Sequence, residues 1–132
     1  MSVINNSLYY NADHTAAAVL ISPGFGAGWS TWEGSELAWR REIVEFFLAH
    51  KDNEQWMNTV DRYNCDAWEQ SMANREAEEF FKSIGYDECP YLGGFNQIKL
   101  VWVPLGAAWR IKEYDGNETL IFLNNENYTT LF

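Results

Sequence analysis

Residues 107–124 read AAWRIKEYDGNETLIFLN. Two runs rich in β-branched and aromatic residues, 107–114 and 118–124, flank the pair Asp115 and Gly116. Asp-Gly suits a two-residue turn in which both central residues adopt positive φ, and that backbone twist matches the twist of paired strands. The stretch therefore predicts a β-hairpin. Immediately upstream, residues 97–104 (QIKLVWVP) alternate, with Ile98, Leu100 and Trp102 opposite Lys99, Val101 and Val103. Period-2 alternation is the mark of a strand. Three antiparallel strands are expected, over 98–104, 107–114 and 118–124.

Further upstream the pattern changes. Residues 16–22 (AAAVLIS) form a short apolar run closed by Pro23 and Gly24. Its length and flanking breakers predict a buried strand that joins the C-terminal sheet. Residues 40–51 (RREIVEFFLAHK) place Ile43, Phe47 and His50 on one side, with Val44 and Leu48 beside them. This spacing is helical, and Lys51 suits the negative end of the helix dipole. A short helix is expected over 53–62. A longer one is expected from Asp66, a candidate N-cap, to Ile84, with Gly85 as its stop. Residues 1–15 are polar and read as an irregular arm or short edge strand. The expected fold class is α+β: one domain with a small, mostly antiparallel sheet of about four strands. Two or three helices are inserted between strand 1 and the C-terminal strands.

Composition narrows the function. The chain has 132 residues, within the range of one domain, with seven Trp, seven Tyr and eight Phe to build a core. The net charge of -10 argues against binding a nucleic-acid backbone or an anionic membrane, both of which need clustered Lys and Arg. The N-terminal residues lack the basic and apolar regions of a secretion signal, and the apolar run 16–21 is too short to span a bilayer. His14, His50, Cys65 and Cys89 have no partner at catalytic or metal-ligand spacing. Neither an enzyme active site, a metal nor a cofactor is expected.

Two features remain. The first is the loop PGFGAGWSTWEG over 23–34. Its Gly24, Gly26 and Gly28 could cradle phosphate with backbone N–H groups, but the spacing is neither that of a P-loop nor that of a dinucleotide fingerprint. Trp29 and Trp32 in this loop read either as core plugs or as exposed interface anchors. The second is the acidic middle, where 13 carboxylates between Glu36 and Glu88 face six Lys and Arg. Glu42, Glu45, Glu69, Glu76, Glu78 and Glu79, spaced along helices, could imitate a row of phosphates and engage a basic protein surface. Solvation alone is the commoner origin of such a charge run.

Residues 22–33 (SPGFGAGWSTWE) and 101–118 (VWVPLGAAWRIKEYDGNE) together cover about a quarter of the chain. They resemble the GAGWSTW-type loop and EYDG hairpin of small proteins of tailed bacteriophages. The resemblance implies a phage origin and carries no activity and no site residues. The leading expectation is an acidic, non-enzymatic interaction protein acting in the host cytoplasm. It would occupy a basic surface on a host protein, such as a nucleic-acid-handling defence complex of the CRISPR effector kind. Trp29 and Trp32 would serve as anchors. The alternative is a binder of a nucleotide signal, using Gly24, Gly26, Gly28 and Trp29 with Arg110 as a local cation.

Overall fold

A computed structural model of the chain describes residues 7–24, 28–60, 72–90, 92 and 95–122. The elements run β1 (Ala16–Ile21), α1 (Ser30–Glu33), a 3₁₀ turn (Ser35–Ala38), α2 (Arg41–His50), α3 (Glu54–Val60) and α4 (Met72–Ser83). A second 3₁₀ turn (Phe95–Gln97) then leads into β2 (Lys99–Pro104), β3 (Trp109–Tyr114) and β4 (Asn117–Phe122). The fold is α+β, with the helices between the first strand and the C-terminal strands. The expected helix start and N-cap at Asp66 lie outside the described residues. No helix among those residues is long and apolar enough to cross a membrane.

The hairpin forms as its turn chemistry dictates. Asp115 and Gly116 have φ of 50° and 85°, the two positive values of a type I′ turn. Tyr114 then pairs with Asn117 and Trp109 with Phe122. The Gly116 N–H is held by the Glu113 carboxylate at 2.8 Å.

The strands do not join into one sheet. β1 pairs antiparallel with β2, and β3 with β4, as two separate ladders. β2 does not extend onto β3 as expected. The reason lies in β1, whose six residues are all buried. Ala18 and Leu20 face a core built by the helices. Val19 and Ile21 face the opposite way, into a second core with Val103 and Trp109, flanked by Ile111 and Leu120. A strand apolar on both sides needs a layer on each face. The other edge of β1 is also occupied, since Ala18 N–H donates to Tyr9 O at 2.8 Å and Asn11 N–H to Ala16 O at 3.0 Å. The N-terminal arm is thus an edge segment. The hairpin stacks over the β1–β2 ladder instead of lengthening it, giving three layers: helices, central ladder, hairpin.

α2 and α4 lie antiparallel in the helical layer. Arg40, at the start of α2, reaches Ile84 O beyond the end of α4 at 2.8 Å. His50, at the end of α2, faces Glu76 near the start of α4 at 3.4 Å. Phe46 forms the centre of their contact, stacked on Phe80 with ring centroids 4.1 Å apart and edge-on to Phe81 and Trp56. Gly85 ends α4 with φ of 106°. Gly85 N–H donates to Lys82 O, and Tyr86 N–H to Phe81 O at 2.9 Å. The Tyr86 ring covers Phe81 at 5.3 Å. Both bonds and this apolar contact define a Schellman cap.

Candidate functional site

The Gly/Trp loop is organised by a buried acid that the sequence reading does not single out. Glu118, at the start of β4, is 1 % exposed. Its Oε1 accepts the Ser22 N–H at 2.9 Å. Its Oε2 accepts the Trp29 N–H at 2.8 Å, the Thr31 N–H at 3.0 Å and the Thr31 hydroxyl at 2.6 Å. Glu118 N–H also donates to Ser22 O at 2.7 Å, tying the hairpin to the end of β1. A buried carboxylate survives desolvation only when donors compensate it, and this one has four. The signal lies in the strand alternation. Glu118 shares a hairpin face with Leu120, and that face points into the core.

This geometry assigns roles to the loop residues. Its N–H groups do converge on an anion, but the anion is the protein's own carboxylate. A Cβ on Gly24 would meet only the amide end of the exposed Gln97 side chain, which can turn aside, whereas a Cβ on Gly28 would stand 2.6 Å from the Trp32 ring. Gly28 serves close packing. Gly26 lies outside the described residues. Arg110 is exposed on β3 opposite Ile121, on the hairpin face turned away from Glu118, so the structure does not bring it to the loop. Trp29, read from the sequence either as a core plug or as an exposed anchor, is 2 % exposed. Its indole N–H donates to Leu37 O at 2.9 Å and its ring meets Phe95 edge-on. It is a core plug because satisfying the indole N–H inside lets the whole ring be buried. Trp32, at 46 %, is exposed.

The acidic residues fall into two groups. On α2, Glu42 pairs with Arg40 at 3.0 Å and Glu45 with Arg41 at 3.7 Å. The Glu42 carboxyl is held below its usual range by its own backbone N–H and by Arg40. Arg40 is a hub that also faces Glu36 at 3.6 Å. Burial acts to lower its pKa, but the hydrogen bond to Glu42 and the charges of Glu36 and Glu42 raise it. The Tyr86 hydroxyl donates to Glu36. Burial, then that hydrogen bond, raises the Tyr86 phenol well above its ordinary value. This network clamps the start of α2 to the end of α4. The α4 carboxylates differ. Glu76 and Glu79 are exposed and Glu78 half-buried. Glu76 faces His50, and Glu79 has no ion pair among the described residues. Asp87 and Glu88 follow, both exposed. Glu69 lies outside the described residues.

His50 is held by the aromatic cluster, stacked on Trp56 at 3.9 Å with Nδ1 2.9 Å from Phe46 O. Comparison with known proteins finds no matching family, no matching curated protein and no matching solved structure.

Proposed function

We propose that this chain is a non-enzymatic, phage-encoded interaction protein that acts in the host cytoplasm, binding and inhibiting a host protein through a carboxylate-rich helical surface. A nucleic-acid-handling defence complex, such as a CRISPR effector, has the basic cleft this surface would suit. The observation that carries the reading is the uneven neutralisation of the helical layer. The α2 acids are engaged by Arg40 and Arg41, whereas Glu79, Asp87 and Glu88 on and after α4 are exposed with no ion pair among the described residues, and Glu76 faces only His50. Arg75 and Lys82, exposed on the same helix, offset part of that charge. A concentrated negative field steers a basic partner and raises its association rate. Trp32 takes over as the aromatic anchor candidate now that Trp29 is buried. Nucleotide sequestration by the Gly/Trp loop ranks second, because the N–H groups of Ser22, Trp29 and Thr31 already hold Glu118.

The test begins with affinity purification from a bacterial host, with mass spectrometry of the proteins and small molecules that co-purify. Association kinetics with the purified partner follow, for the parent and a Glu76→Lys/Glu79→Lys variant at two salt concentrations. Screening acts over about 8 Å at physiological salt, so added salt slows association, and the reversal slows it further. Association rates unchanged by both would sink the acidic-surface reading.

A further inference from the structure

Beyond the acidic surface, the molecule has a groove of different chemistry. It is a shallow, open depression of about 520 Å³ between the C-terminal end of α2, α3 and strand β2. Phe47, Leu48, Met57, Ile98 and Leu100 supply apolar walls, and Trp102 stands at its side with 44 % exposure. Tyr9 stacks on the Trp102 ring at 6.2 Å, which fixes the indole's orientation. Lys51, Asp52, Asn96 and Lys99 also line the groove, Lys99 from the rim, since its side chain leaves β2 on the face opposite Leu100 and Trp102. Lys51 is paired with Asp52 at 3.3 Å, whereas Lys99 is exposed and has no ion pair among the described residues. In a chain of net charge -10, the groove is a local site of opposite sign.

The backbone adds donors at the same place. Leu105 N–H bonds to Thr15 O, so with the β1–β2 register the odd-numbered residues of β2 point their N–H groups toward β1. The Leu100 and Trp102 N–H groups therefore point to the opposite edge, where no described residue takes them. That edge is poorly suited to accept a further strand, because Lys99 and Pro104 stand at its two ends, and charge and proline blunt strand addition. A small molecule has no such obstacle, and a groove of a few hundred Å³ with apolar walls and few polar groups is the usual form of a ligand site.

We propose that this groove binds a small aromatic anion. Its flat body would lie against Trp102 and the apolar walls, and its carboxylate or phosphate would sit at the edge N–H groups, with the long Lys99 side chain reaching round the strand edge from the opposite face to hold it. The test uses the full chain and three probes, 2-naphthoate, 2-naphthyl phosphate and the uncharged 2-naphthamide, by titration calorimetry and ¹H–¹⁵N shift mapping. At least one anion is expected to bind about tenfold or more tightly than the amide, with the largest shifts at Phe47, Leu100 and Trp102. Lys99→Glu, at an exposed position, is expected to remove that preference while leaving the amide's affinity unchanged. Trp102→Ala is expected to weaken all three probes. Which anion binds more tightly identifies the headgroup. Equal affinities for anions and amide, an anion preference that survives Lys99→Glu, or shifts centred elsewhere would each overturn the proposal.

Discussion

Replacing Glu118 by glutamine keeps the shape of the side chain and removes only its charge and one acceptor. In the parent, Oε2 receives three hydrogen bonds and Oε1 one. The substituted amide would best turn its oxygen toward Trp29 and Thr31, which sets its NH₂ against the Ser22 N–H. Leaving that buried donor unmatched costs about 1–3 kcal/mol. The three remaining bonds lose their charge assistance, which roughly doubles such bonds. The sum is about 3 kcal/mol, a large share of the roughly 5–15 kcal/mol that holds a domain together. With a urea slope of about 2 kcal/mol/M, the unfolding midpoint should fall by about 1.5 M. Near-UV circular dichroism should report loosening around Trp29, whose backbone N–H is one of the four donors. Glu118→Ala, which strands every donor, should be worse. A Glu118→Gln variant with an unchanged midpoint would refute the argument. It would mean that the cost of burying the carboxylate cancels what its hydrogen bonds contribute.

Three other outcomes follow from the same structure. Trp29→Ala should destabilise the fold by about 3–5 kcal/mol, as large-to-small changes in a core do. A loss of partner binding at unchanged melting temperature would contradict its burial. Gly116→Ala, at φ of 85°, should cost about 1–2 kcal/mol in thermal unfolding, whereas Asp115→Asn should be nearly silent, since Asn tolerates the left-handed region. Tyr86 keeps its proton in the folded state at pH values where the unfolded chain, near its ordinary 10.0, has lost it. Stability from this group is therefore complete below pH 10 and declines as the pH rises beyond it. Tyr86→Phe should flatten that alkaline decline in urea titrations, and an equal decline in both proteins would remove Tyr86 as its source.

Local chemistry made much of the fold legible in the sequence. Asp115 and Gly116 admit the φ values of a type I′ turn wherever they stand, so the hairpin could be read from two residues. Gly85 likewise marks the end of α4, and the spacing of Ile43, Val44 and Phe47 marks the buried side of α2, because helical period and cap geometry depend on neighbours in the chain. The apolar run 16–21 announced a buried strand. It did not say that Val19 and Ile21 would meet Trp109, far along the chain, on the face opposite the helices. That choice of two stacked ladders over one sheet belongs to the tertiary structure, since only the packed layers decide which edge of β1 is already taken. The same holds for the candidate sites. That Glu118 carries a charge and that Trp29 sits in a glycine-rich loop can be read from the chain alone. It was folding that buried both and turned the loop's N–H groups onto the chain's own carboxylate. It also left Lys99 and Trp102 lining one open groove. Burial and convergence depend on contacts between residues distant in sequence, and no local pattern encodes them.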